Sequence, residues 1–230
     1  MSNNRLSVSE YDSLESNQKL SICLEKIQAY FPTLFAERGF SIRVRSSDEL
    51  WKYADVMQNQ RFSNNISLGL GGKVSKEEFD ILKTLTENVV NLTSSLGRVS
   101  LGRNVISRSL ITSRVLTALK KTSLLEKKLN ILELGGGCGY QASAFQLTGD
   151  NVFLMDNTQA FYLFQNNFYE YTCPEKFLEL AKYPIEEANN FLKKSETADN
   201  MITHCPWWLF VNDQLSLPKI DVVIANHMLS

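Results

Sequence analysis

The spacing of apolar residues divides the chain into a helical first half and a second half in which strands and helices alternate. In the first half, apolar positions recur every three or four residues, which is the period of a helix with one buried face. The predicted helices are Leu20 to Phe31, Leu50 to Met57, Phe79 to Leu96 and Asn104 to Lys121. The expected inward positions of the last two are Phe79, Leu82, Leu85, Val89, Leu92 and Leu96, followed by Ile106, Leu110, Val115 and Leu119.

Two capping boxes mark helix starts in this half. Ser46 precedes Glu49 by three residues, and Ser75 precedes Glu78 by the same spacing. In such a box the serine and the acid each accept a hydrogen bond from the other's backbone amide. The polar segment from Asn59 to Lys73, which becomes rich in glycine, predicts a loop between the two helices.

In the second half, short apolar runs predict buried strands. A run of this length that ends in glycine or an acid is typical of a parallel strand covered on both faces. The predicted strands are Ile131 to Leu134, Val152 to Met155, Met201 to His204 and Asp221 to Ala225. The predicted helices are Ala142 to Leu147, the aromatic segment Thr158 to Tyr171, and two shorter helices begun by proline, Pro174 to Leu180 and Pro184 to Lys194. This alternation predicts an α/β fold with a parallel sheet.

The most informative stretch joins the first two predicted strands. Gly135, Gly136, Gly137 and Gly139 follow the first strand, and Asp156 ends the second. A strand, a glycine turn, a helix and a second strand ending in an acid form the opening of a nucleoside-binding sheet. One interpretation is a dinucleotide site, because Gly137, Gly139 and Ala142 fit the G-x-G-x-x-A pattern and Asp156 is placed to bind a ribose.

The second interpretation rests on a resemblance. The stretch Ile131 to Gly139 resembles the first motif of class I S-adenosylmethionine-dependent methyltransferases, which reads hydrophobic–hydrophobic–acid–hydrophobic–G-x-G-x-G. The resemblance implies that Glu133 orients the amino group of the cofactor and that the glycines lie against its methionine part. It also implies that Asp156, with Asn157 beside it, binds the ribose hydroxyls. Cys205 follows the third strand, near the adenine, where many members of the family carry an acid or an amide.

The C-terminal stretch extends the resemblance. Leu217-Pro-Lys-Ile-Asp-Val-Val-Ile-Ala is similar to the fourth-strand motif of that family, whose following residues face the methyl group. His227 would then be the base for a hydroxyl acceptor, and Asn226 would orient the acceptor; alternatively, His227 is a polar strand-end residue without a chemical role. No Pro-Pro-Tyr follows Asn226, which disfavours the N-methyltransferases of DNA adenine and of glutamine. The combined motifs resemble the sugar O-methyltransferases proposed for bacterial polysaccharide and secondary-metabolite clusters, so the expected acceptor is a small molecule such as a sugar.

The expected organisation is a helical region over residues 1–125, which shapes the acceptor site, and a Rossmann-like cofactor domain over residues 126–230. The methyltransferase sheet has the order 3-2-1-4-5-7-6, and only strands 3-2-1-4 are predicted here. The sheet is therefore expected to be truncated after its fourth strand, leaving an open apolar edge. We interpret the chain as a fragment; cover by another chain or by the N-terminal helices is the alternative.

Composition narrows the function only slightly. The chain has 24 basic and 25 acidic residues, so no general attraction to nucleic acid or to membranes is expected. The sequence shows no signal peptide and no apolar run of transmembrane length, and we expect a cytoplasmic location with reduced thiols. The four cysteines form no C-x-x-C pattern, so no metal site is predicted; they are Cys23, Cys138, Cys173 and Cys205. The sequence makes no prediction of oligomeric state.

Several alternatives stay open at this point. An NAD-linked oxidoreductase would use Gly137, Gly139, Ala142 and Asp156, and a non-catalytic module would bind a nucleoside or a partner protein without turnover. Trp207 and Trp208 either belong to the core or stack against a ring. The basic residues of the helix at 104–121 and just before it form a solvated face, unless one of them reaches an acidic substrate; they are Arg103, Arg108 and Arg114.

Overall fold

The computed structural model describes residues 5–17, 46, 48–50, 73–97, 103–195, 198–212 and 214–225, with side chains given only from residue 109 onward in the helix that begins at Arg103. The helices are α1 (Val8–Ser16), α2 (Lys76–Ser95), α3 (Arg103–Lys121), α4 (Tyr140–Leu147), α5 (Gln159–Thr172), α6 (Ile185–Ser195) and α7 (Trp207–Phe210). The strands are β1 (Asn130–Leu134), β2 (Asn151–Asp156), β3 (Phe177–Glu179), β4 (Ile202–Pro206) and β5 (Val222–Ile224).

The five strands form one parallel sheet with the order β3-β4-β2-β1-β5. The α/β class and the four predicted strands are confirmed, and these four are neighbours in the predicted order. This arrangement is compatible with a Rossmann-like fold. Because all strands run in the same direction, their carboxyl ends lie along one edge of the sheet. The chain turns toward β2 after β1 but crosses to the other side of β1 to form β5, so the switch point lies between β1 and β5.

The predicted helix from Pro174 to Leu180 is wrong. Residues Pro174–Lys176 form a single 3₁₀ turn, and Phe177–Glu179 pair with β4 as the edge strand β3. Phe177 and Glu179 are buried while Leu178 between them is only partly buried, which is the period of a strand. Three residues are too few for sequence periodicity to separate a strand from a helix. The other proline-led helix is confirmed as α6.

Helix α2 confirms the prediction in its central turns and corrects it at both ends. Leu85, Val89 and Leu92 are buried where the helix packs with α3, α4 and α5. Phe79, in the first turn, is 59% exposed, and Leu96, the residue just past the last turn, is 41% exposed. The predicted capping box at Ser75 is confirmed.

Helix α3 confirms part of the predicted inward face and corrects another part. Val115 is 45% exposed, whereas Ser109, Ser113 and Leu116 are buried. The helix packs against α4, and small hydroxyl side chains at this contact carry no apolar signal in the sequence. Leu119 packs partly buried against the core as expected. Ile106 lies outside the described side chains.

Helix α1 lies over the carboxyl ends of β2 and β4. Gln159 Nε2 at the start of α5 donates to Asp12 Oδ1 at 2.7 Å, and Trp207 Nε1 at the start of α7 donates to Glu15 Oε1 at 2.6 Å. The segments α5 and α7 begin directly after those two strands. One N-terminal helix therefore covers part of the edge at which ligands of open α/β sheets bind.

The remaining sequence predictions for the N-terminal region fall mostly outside the described residues. The Glu49 amide donates to Ser46 Oγ at 3.3 Å, which agrees with the first predicted capping box. The helix predicted from Leu20 to Phe31, the rest of the helix after Leu50 and the loop predicted before Lys73 lie outside the described residues. In the parts that are described, no helix is both long and apolar enough to cross a membrane.

Candidate functional site

The glycine loop, residues 135–139, leaves the carboxyl end of β1 next to the switch point of the sheet. Three of its glycines have left-handed backbone angles, with φ of 70° at Gly135, 58° at Gly137 and 76° at Gly139. These angles are costly for residues with a side chain. The Gly135 amide donates to the Met155 carbonyl of β2 at 2.8 Å, which continues the sheet by one bond before the chain turns.

Close packing beneath the loop imposes a second requirement for glycine. A Cβ atom on Gly136 would lie 2.5 Å from Leu154 Cδ1, and one on Gly139 would lie 2.1 Å from the Tyr169 hydroxyl oxygen. Both separations are shorter than any tolerable contact. The need for these two glycines therefore arises from contacts inside the protein, whether or not a ligand is bound.

Asp156, at the end of β2, accepts a hydrogen bond from the glycine loop. It is only 2% exposed. Its Oδ1 accepts from the Thr158 amide at 2.9 Å, and its Oδ2 accepts from the Gly137 amide and from Gln165 Nε2, each at 3.2 Å. Burial raises the pKa of Asp156 to about 6, although these donors oppose the increase. Because the side chain is buried, ribose hydroxyls reach this carboxylate only if the groups around it move.

Glu133 in the middle of β1 has an unsatisfied carboxyl oxygen. It is 2% exposed, and its Oε2 has no hydrogen-bond partner among the described residues. Burial, and secondarily the charge of Asp156, raise the pKa of Glu133 to about 8, so the side chain is mainly a neutral acid at pH 7. The Cβ position built on Gly136 lies 3.5 Å from Glu133 Cδ, which places the carboxyl group directly beneath the loop. A buried polar atom without a partner is uncommon and is a candidate contact for a ligand group.

A polar cluster that the sequence did not indicate continues from Asp156 toward β3. Gln165, Tyr169, Glu179 and His204 are all buried and are joined by hydrogen bonds to one another or to the loop. His204, which ends the third predicted strand, lies within β4 and is fully buried. A signal for Glu179 was present, because it is a single acid in the apolar run Phe-Leu-Glu-Leu, as Glu133 is in Ile-Leu-Glu-Leu. The two residues from α5 gave no such signal.

The other predicted cofactor residues differ in accessibility. Asn157 is partly exposed just after β2. Cys205 is 3% exposed, and burial followed by the nearby Glu179 charge raises the pKa of its thiol. The predicted acceptor residues Asn226 and His227 lie outside the described residues; the last one described is the partly buried Ala225 after β5.

The aromatic and basic residues with open interpretations have protein partners. Trp207 and Trp208 are buried, and the ring of Trp208 lies edge-on to Tyr11 with centroids 4.9 Å apart, so both belong to the core. Arg114 donates to both carboxylate oxygens of Glu78, at 2.6 and 3.0 Å. The side chains of Arg103 and Arg108 lie outside the described part of the chain.

Comparisons with protein-family models, curated proteins and solved structures find no significant match to this chain. Within the described ranges, no group of three histidine, cysteine or acidic side chains is placed to hold a metal ion.

Proposed function

We propose that this chain is an S-adenosylmethionine-dependent methyltransferase that acts on an oxygen of a small molecule such as a sugar. The observation that carries the proposal is the unpaired, buried Glu133 carboxyl group beneath a glycine loop at the switch point of a parallel sheet. Ligands of open α/β sheets bind in the crevice at this position. An ammonium group is a suitable partner for a carboxyl oxygen that has none.

The residues that would hold the cofactor are Glu133 and the partly exposed glycines Gly135 and Gly136, with Asn157 at the neighbouring strand end. When bound, S-adenosylmethionine supplies an electrophilic methyl group. Asp156 keeps the loop in place and, in the arrangement described, contributes through the Gly137 amide.

The proposed acceptor-binding residues follow β5 in the sequence. In the sequence, Asn226 and His227 follow Ala225, the residue after β5, and β5 borders the switch point. We expect His227 to take the proton of the acceptor hydroxyl and Asn226 to orient that hydroxyl. His227→Ala and Asn226→Ala should then lower the turnover of a sugar acceptor without weakening cofactor binding. Unchanged turnover in both variants would contradict these two roles.

A dinucleotide site has less support. A pyrophosphate binds to free amides at a helix N-terminus. Here the Gly139 carbonyl is bonded to the Tyr169 hydroxyl, and the first two residues of α4, Tyr140 and Gln141, are buried. Tyr140 also lies edge-on to Phe164 and Phe168 of α5, so the start of α4 is packed against that helix rather than open to a diphosphate.

The test is calorimetric binding of S-adenosylhomocysteine, which carries the same ammonium group, between pH 6.5 and pH 8. Pairing with an ammonium group requires ionised Glu133, whose pKa in the free chain is raised to about 8. Affinity should therefore rise with pH, by at most about tenfold per unit. Glu133→Gln should bind more weakly and lose this pH dependence.

A matched ligand separates the role of the ammonium group from that of the nucleoside. 5′-Methylthioadenosine lacks the amino-acid part, so its affinity should not change with pH through Glu133. Binding of NADH in preference to S-adenosylhomocysteine would refute the proposal in favour of an oxidoreductase. Binding without turnover of any acceptor would indicate a nucleoside-binding module.

A further inference from the structure

Glu179 on the edge strand β3 is the fixed end of the buried polar cluster. Its Oε1 accepts from the Ala181 amide at 2.9 Å and from the Tyr162 hydroxyl, and its Oε2 contacts Asn166 Nδ2 and His204 Nδ1, each at 2.8 Å. The backbone nitrogen of Ala181 and Nδ2 of Asn166 can only donate, so each oxygen of the carboxyl group is held by at least one donor. Glu179 thereby fixes the ring of His204, which also stacks on Tyr162 with centroids 3.7 Å apart.

His204 in turn fixes the amide of Gln165. Gln165 Nε2 lies 2.6 Å from the Gly137 carbonyl oxygen, which can only accept, so this atom must be the donating nitrogen. The other amide atom, Oε1, then accepts from His204 Nε2 at 2.9 Å. The orientation of Gln165 follows from its two partners, and it presents its donors to Gly137 and Asp156.

Tyr169 holds the far end of the loop. Its hydroxyl donates to the Gly139 carbonyl at 2.9 Å, and its ring lies edge-on to His204 with centroids 6.1 Å apart. Gln165 and Tyr169 are one helical turn apart on α5 and bind carbonyls two residues apart in the loop. Both are fully buried.

We infer that Gln165 and Tyr169, oriented through His204 by Glu179, are positioning residues that hold the glycine loop in its ligand-binding conformation. A glycine-rich segment loses more conformational entropy on ordering than a segment of any other residue. Loop carbonyls that are already held spare the ligand this cost. Apolar packing in place of such a cluster is often no less stable, so a positioning role accounts better for its polarity than stability alone. The identity of the ligand, but not the loop anchoring, rests on the proposed function.

Hydrogen–deuterium exchange on the full chain tests the anchoring directly. Gln165→Met and Tyr169→Phe each remove a donor to the loop while nearly preserving the shape of the side chain. We expect the loop amides at 135–140 to exchange at least about tenfold faster in both variants, while those of β1 change little. The matched control is Asn167→Ala on the same helix, because its Nδ2 donates to the Leu163 carbonyl within α5 rather than to the loop.

Ligand binding provides the readout that a purely structural role would not change. Both variants should bind S-adenosylhomocysteine at least about tenfold more weakly than the wild type, and saturating ligand should restore slow exchange in the loop. Equal acceleration in the loop and in β1, or no acceleration in the loop, would overturn the inference. If the wild type binds no S-adenosylhomocysteine, the proposed function fails while the exchange comparison still decides the anchoring role.

Discussion

Replacing Glu133 with glutamine should change how the stability of the protein depends on pH. Burial raises the pKa of this side chain from 4.5 to about 8 in the folded chain. Between these two values the folded state binds a proton that the unfolded state has released, so stability falls as pH rises. The full effect is about 1.4 kcal/mol per pH unit and ends once the folded side chain has also ionised.

The contribution of Glu133 to the free energy of unfolding changes measurably between pH 6.5 and pH 8. From pH 6.5 to pH 8 the folded Glu133 loses about half of its proton, so its contribution to the free energy of unfolding should fall by about 1.5 kcal/mol. Asp156, whose pKa is raised to about 6, changes stability in the same direction but largely below this interval. Because Asp156 is present in both the wild type and Glu133→Gln, its contribution largely cancels when the two are compared.

The assay is urea unfolding of wild type and Glu133→Gln at pH 6.5 and pH 8, at constant ionic strength. The wild type should lose about 1.5 kcal/mol more than the variant over this interval. Glu87→Gln provides the control, because the Glu87 side chain is 59% exposed and should show no such difference. If wild type and Glu133→Gln change in parallel, Glu133 does not bind its proton more tightly in the folded chain and the argument about the site is wrong.

Two further substitutions test the framework around the site by urea unfolding. Lys120 lies 2.6 and 2.7 Å from the oxygens of Asp150, which is 1% exposed, so Lys120→Ala should lower the free energy of unfolding by about 3 kcal/mol. Lys83, which forms an exposed ion pair with Glu87, provides the control, and Lys83→Ala should lower it by less than about 0.5 kcal/mol. Similar losses in the two variants would contradict the claim that burial strengthens the Lys120 pair. Gly139→Ala should lower the free energy of unfolding by about 2–4 kcal/mol, because φ is 76° and the position of the new Cβ atom is already occupied. Gly149→Ala, where φ is 91° and the space is open, should lower it by only about 1 kcal/mol. Equal losses would show that the packing beneath the loop is not tight.

Four of the five strands and the glycine loop could be predicted because their signals are local. The apolar run before Gly135 and the acid at Asp156 are readable within a few residues, and the structure places both at neighbouring strand ends. The burial of Asp156 could not be predicted in this way, since it depends on Gln165 of a separate helix. Ser113 shows the same limit, because a buried serine at a helix contact looks like a surface residue in sequence.

The charges around the glycine loop also bear on which ligand the proposed site accepts. Two buried acids, Glu133 and Asp156, lie beneath the loop, and a third, Glu179 on the edge strand β3, is linked to it through His204 and Gln165. A ligand group with positive charge would favour ionisation of Glu133 and supply a partner for its free oxygen. A pyrophosphate would bring two negative charges toward the same acids and hold Glu133 more firmly in its neutral form. These charges therefore support the proposed ammonium- and sulfonium-bearing cofactor over a dinucleotide.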